Sequence, residues 1–141
     1  MEIKRITDFN EKILADTNTL VSQLTPRKYQ MDAVHFKKVL KSKQIHILAA
    51  YDGDVVVGVA TLIALHQITG YKGYVEDVVV DEKYREQGLA KQLMLEVITL
   101  AKKLNIFRLE LKSEVFRGAG NNLYQKLGFE KIEANVYQLK I

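Results

Sequence analysis

The sequence predicts an α/β fold, a mixed sheet with helices on both faces, and three observations carry that prediction. Two β-rich runs, Ile45–Tyr51 and Val55 to about Gln67, flank Asp52-Gly53, a dipeptide that favours tight hairpins. A third apolar run, residues 74–81, leads through a short polar loop into a helix whose apolar positions recur every three or four residues. The whole order is about β-α-α-β-β-β-α-β-α-β-β. A meander followed by a strand–helix–strand unit gives a mixed sheet covered on both sides.

Each element has a local reason. Residues 2–6 alternate polar and apolar as a short strand. Asp8 is placed to cap a helix that runs to about Leu24, with Phe9, Ile13, Leu20, Val21 and Leu24 at helical spacing; Thr25-Pro26 ends it. Helical spacing resumes over residues 30–41 through Met31, Val34, Val39 and Leu40. After the hairpin, the two glycines of residues 68–73 suggest a loop before the third strand. The long helix spans 88–104 with Leu89, Leu93, Val97, Leu100 and Leu104 inward, a strand covers 106–112, and a helix covers 117–127, closed by Gly128. Residues 129–132 and 135–141 read as the last extended segments.

Composition narrows the chemistry. The 141 residues carry no linker or repeat and form one domain, 1–141. Zero cysteines exclude disulfide frameworks, thiolate metal sites and a cysteine nucleophile. The three histidines, His35, His46 and His66, show no pairing at metal-ligand spacing, and no metal is expected. A net charge of +4 favours anionic ligands. Lys and Arg are nevertheless spread along the chain with no nucleic-acid motif, so no nucleic-acid partner is expected. The start of the chain lacks an apolar signal segment, and the longest apolar run, Val55–Leu65, is about half the roughly 20 residues of a membrane helix. A cytoplasmic protein without a membrane partner is the expectation.

The informative segment is Val78-Val-Val-Asp-Glu-Lys-Tyr-Arg-Glu-Gln-Gly-Leu-Ala-Lys-Gln-Leu93. A strand ends, a loop with Arg85 and Gly88 follows, and a helix begins. The helix start presents unpaired N–H groups and the positive end of its dipole, small residues at Gly88 and Ala90 allow an anion close, and Arg85 adds a forked cation. This is a cradle for phosphate or pyrophosphate; the plainer alternative is a glycine turn with a solvated arginine. Two other glycine patterns fail. Gly53-Asp-Val-Val-Val-Gly58 continues Val-Ala and lies in a hairpin, and Gly118-Ala-Gly120 lacks the third small residue of the dinucleotide fingerprint.

Arg85-Glu-Gln-Gly88-Leu-Ala90 resembles the Q/R-x-x-G-x-G/A signature of the GCN5-related N-acetyltransferase (GNAT) superfamily. Asn122-Leu-Tyr124-Gln-Lys-Leu-Gly128-Phe129 is similar to that family's closing segment, and Tyr74-Val-Glu-Asp-Val-Val-Val to its central strand. The resemblance covers about Asp54 to Ile141, and the preceding helical pair fits the family's variable amine-binding region. It implies the GNAT fold: a mostly antiparallel sheet of six to seven strands, splayed at the central strands and flanked by about four helices.

The resemblance also implies an acetyl-CoA-dependent N-acetyltransferase. Pantetheine would pair with the backbone of Val78, Val79 and Val80, and the pyrophosphate would sit on Arg85, Glu86, Gln87, Gly88, Leu89 and Ala90. Arg117, Asn121 and Tyr124 would complete the cofactor contacts. With no cysteine to carry the acetyl group, an amine must attack the thioester directly in a ternary complex. An alkylamine has a pKa near 10 and must first lose a proton. Glu76 is the favoured base or water-orienting group, with Asp77 as alternative; adjacent strand residues point to opposite faces, so only one is expected to face the acetyl group. The Val78 amide is the implied donor to the oxyanion, and Tyr124 the implied acid for the leaving thiolate. Two departures stand out: Glu86 lies where glycine or a basic residue is common, and Arg117 where asparagine is frequent. The acceptor is a small-molecule or peptide amine, with glucosamine 6-phosphate as a specific alternative. A catalytically silent acyl-CoA-binding module is the non-enzymatic alternative, and a homodimer is a family-level expectation.

Overall fold

A computed structural model describes residues 1–141. The order is β1 (Glu2–Arg5), α1 (Glu11–Leu24), α2 (Ala33–Lys41), β2 (Ile45–Asp52), β3 (Val55–Gln67), β4 (Gly70–Val80), a 3-10 turn (Glu82–Tyr84), α3 (Leu89–Lys103), β5 (Arg108–Leu111) and α4 (Gly118–Lys126). The five strands form one sheet in sequence order, antiparallel except for the parallel β4–β5 pair. The α3 crossover creates that one parallel pairing.

Strand side chains alternate between two cores. On one face Leu48, Leu62 and Val75 meet Leu93, Met94 and Val97 of α3; on the other Ile47, Ala49 and Val59 meet Leu14 and Leu20 of α1 and Phe36 of α2. Leu93 is fully buried, so truncation to alanine costs about 2–5 kcal/mol.

Four expectations are corrected. Asn10, rather than Asp8, caps α1: its Oδ1 accepts from the amides of Lys12 at 2.8 Å and Ile13 at 3.2 Å. The second helix starts at Ala33, not residue 30, with Asp32 accepting from the His35 amide at 2.7 Å. Met31 cannot be helical there, because the Asn18 side chain holds its backbone N–H (2.8 Å) and carbonyl (2.9 Å). Residues 70–73 belong to β4, and only Ile68-Thr69 turn between paired Gln67 and Gly70. Gly73 marks close packing, not a loop: a Cβ there would stand 2.6 Å from Leu109 Cδ2. Finally, the sheet has five strands instead of six to seven. Residues 130–141 make no backbone hydrogen bond and form no strand, although Val136, Tyr137, Leu139 and Ile141 carry a β-rich pattern on the surface. No helix is long and apolar enough to cross a membrane.

Candidate active site

The site arises where β4 and β5 part. Their pairing stops at Val75–Leu111, yet β4 continues five residues further. At the same level β4 bulges. Val59 pairs with Val79 and Thr61 with Glu76, so Asp77 and Val78 both stand opposite Ala60. Asp77 takes φ +53°, a left-handed conformation that aspartate tolerates better than most residues.

The bulge overturns the opposite-faces expectation. Glu76, Asp77 and Val78 all line one cleft of about 830 Å³, together with Leu111 to Val115, Arg117 and Tyr124. Asp77 lies open to the cleft, but the protein around its carboxyl strips enough water to push its pKa above the ordinary aspartate value. Tyr124 comes from α4 and packs edge-on to Phe129 at 6.1 Å between ring centroids. Burial pushes its phenol upward, and the nearby Arg117 cation acts in the opposite sense.

The segment expected to cradle an anion follows the far end of β4. Gly88 caps α3 at φ +78°, with no side chain closing the helix start and open space where a Cβ would project. The amides of Leu89, Ala90 and Lys91 therefore have no protein partner. Arg85 Nε donates to the Val80 carbonyl at 3.1 Å, which ties the loop to the strand end. Glu86 is exposed at φ +61°. That backbone suits glycine, so the family's common glycine at this position has a conformational reason that Glu86 overrides. Gln87 is exposed beside it, whereas Val79 and Val80 are buried and packed into the two cores.

Two residues expected at the cofactor, Asn121 and Arg117, have protein partners in this structure. Asn121 lies outside the main cleft, and its amide donates to the carbonyls of Glu114 (3.1 Å) and Val115 (3.3 Å), bracing the loop before α4. Arg117 lines the cleft, but its guanidinium donates to the Leu24 carbonyl at 3.1 Å.

Sequence reading missed the opposite wall. Arg27, Tyr29 and Met31 of the α1–α2 loop, with His35 of α2, line the same cleft. It also missed Gln23, whose side chain donates to Asp81 (3.1 Å) and accepts from the Glu82 amide (2.9 Å), binding α1 to the loop before α3. The Thr25-Pro26 break showed that a loop begins here, but nothing local told which way it folds.

The Acetyltransferase (GNAT) family description matches residues 11–129. The N-alpha-acetyltransferase RimI of Mycobacterium tuberculosis is 26% identical over 97 residues, 69% of this chain and 60% of that protein. The match thus spans well under two thirds of this relative's length. Among solved structures, a putative acetyltransferase from Agrobacterium tumefaciens str. C58 superimposes with a TM-score of 0.88 at 19% identity, covering 100% of both chains. AAC(6')-Iy, solved with the bisubstrate analogue CoA-S-monomethyl-acetylneamine, gives 0.81 at 21% identity over 99% of this chain and 97% of its own. Splayed strands, an uncapped helix start beside them and a family match over most of the sequence agree: this chain belongs to the GNAT acetyltransferase family.

Proposed function

We propose that the protein transfers an acetyl group from acetyl-CoA to a primary amine within a ternary complex. One observation carries this reading: the strand splay collects Glu76, Asp77, Val78 and Tyr124 in a single cleft, and the same strand leads on to a helix start with unpartnered amides.

The residues present fit coenzyme A. The open amides of Leu89, Ala90 and Lys91 would hold the pyrophosphate, and the parted edge of β4 near Val78 would accept the pantetheine arm. Bound there, acetyl-CoA supplies the acetyl group as an activated thioester. Glu76, half-buried at the first position past the β5 pairing, takes the ammonium proton directly or through water, and Asp77 remains the alternative. The Val78 amide, at the bulge, stabilises the acetyl oxygen as it gains charge. The Tyr124 hydroxyl returns a proton to the departing sulfur. A phenol whose pKa lies at or above the ordinary tyrosine value is protonated at neutral pH, as a donor must be.

The relatives include an N-alpha-acetyltransferase, an aminoglycoside N-acetyltransferase and a glucosamine-6-phosphate N-acetyltransferase, so family membership supports amine acetylation without choosing the amine. The test is an amine panel with CoA release followed by a thiol-reactive chromophore; a cysteine-free chain contributes no background. Stoichiometric CoA and N-acetylated product support the reading. Tight acetyl-CoA binding without turnover of any amine favours the silent acyl-CoA-binding module instead.

A further inference from the structure

The cleft's acceptor wall has an uneven charge. It is built by the C-terminal part of α1, the loop after it and α2, and no Asp or Glu from this wall lines the cleft. Its formal charge is Arg27. That guanidinium lies 4.8 Å from the Tyr29 ring centroid, and Tyr29 in turn meets the His35 ring at 6.5 Å and 90°. A cation–π contact with Tyr29 steadies the Arg27 guanidinium at the cleft. The side chain makes no ion pair or hydrogen bond with the protein, so its forked donors face the cleft and solvent unsatisfied. Arg85 and Arg117, by contrast, each donate to a carbonyl. Met31, Val39, Ile45 and Ile63 give the same cleft an apolar lining. Its carboxylates, Glu76 and Asp77 of β4 and Glu114 of the loop before α4, come from other elements than the Arg27 wall.

The acceptor wall itself disfavours a second cation: an ammonium group brought to it would meet Arg27 and no carboxylate of that wall. A polyhydroxylated body would lose hydration where Met31, Val39, Ile45 and Ile63 line the cleft. Resting on the acetyl-transfer reading above, we propose that the acceptor is a primary monoamine with an apolar body and one carboxylate. Its amine enters towards Glu76 and Asp77, and its carboxylate pairs with Arg27 in the bidentate geometry that guanidinium favours. Arg27 is then a specificity-determining residue.

The experiment compares matched acceptors with acetyl-CoA: 4-(aminomethyl)benzoate against its methyl ester, and 6-aminohexanoate against hexylamine. Spermidine, an aminoglycoside and glucosamine 6-phosphate complete the panel. The acids should exceed their uncharged partners about tenfold or more in kcat/KM. Arg27→Gln should raise KM for the acids about tenfold, leave kcat and the KM of the uncharged amines unchanged, and so erase the preference. A preference for a polycation or for the sugar phosphate overturns the inference while leaving acetyl transfer intact. An acid preference that survives Arg27→Gln overturns it as well. Turnover of none of these amines sinks the transferase reading and this inference together.

Discussion

Arg117 and Leu24 join the two helices that flank the cleft: the guanidinium at the start of α4 donates to the last carbonyl of α1 at 3.1 Å. This bond ties the α1 side of the cleft to its α4 side. Its loss in Arg117→Ala should raise the amine KM about three- to tenfold and leave acetyl-CoA affinity within about twofold. Steady-state kinetics paired with calorimetry of acetyl-CoA binding separates these effects. A tenfold loss of acetyl-CoA affinity would instead make Arg117 a cofactor contact.

Tyr124→Phe keeps the ring that packs on Phe129 and removes only the hydroxyl. Turnover should fall about 100-fold, in the range of a lost general acid, with acetyl-CoA binding and melting temperature nearly unchanged. Unaltered turnover would leave Tyr124 as a packing residue.

The carboxylate pair separates by substitution. Glu76→Gln should lower kcat about 100-fold, while Asp77→Asn should change it less than threefold. Asp77 has its pKa raised by desolvation, so its ionised form weighs against folding as pH climbs through the raised value. Asp77→Asn should therefore raise the melting temperature at neutral pH. Asp77→Ala should lower it, because alanine fits the left-handed backbone poorly. Thermal melts of the three variants at pH 7 read this out; equal melting for Asn and Ala would refute the strain account.

The loop before α3 offers a gain and a loss. Glu86→Gly removes a carboxylate beside the proposed pyrophosphate and relaxes φ +61°, so acetyl-CoA should bind several-fold tighter. Gly88→Glu adds charge and a side chain at φ +78° and should weaken binding more than tenfold. Calorimetry with acetyl-CoA decides both, and unchanged affinity in either variant places the anion elsewhere.

His46 predicts the response to acid. It is buried, neither ring nitrogen has a partner, and burial and Arg5 together lower its pKa below 6.5. The unfolded chain therefore takes up its proton first as pH falls. Stability from this group is full above about pH 6.5 and declines below it towards the lowered folded-state value. Melting temperatures recorded across this range should fall for the wild type and fall less for His46→Leu. Parallel curves would exclude His46 as the source.

Where local chemistry decides the outcome, the sequence was readable. The Asp-Gly hairpin, the α3 stripe and the uncapped helix start at Gly88 all depend on neighbours a few residues apart. Contacts between distant segments were not. Nothing near Met31 announces that Asn18 will clamp it, and nothing near Gly73 announces Leu109 above it. The final segments have strand-like alternation, but a strand also requires a neighbouring edge, and residues 130–141 pair with none in this chain. The site followed the same division. Motifs pointed to Tyr124 and the Glu76–Asp77 pair as candidates, whereas the bulge that places both acidic residues on one cleft depends on how β3 and β4 pair. Arg27, Tyr29 and His35 come together only through the path of their loop.

The bulge at Asp77 also limits how this protein could be altered. A left-handed residue in mid-strand admits few replacements: glycine without penalty, asparagine and aspartate with little. A mutational library at that position would return a short alphabet whatever activity was selected. At Arg27, on an exposed loop, nearly any side chain could be accommodated. New acceptor preferences should thus emerge from the α1–α2 loop, while the strand beneath it stays almost fixed.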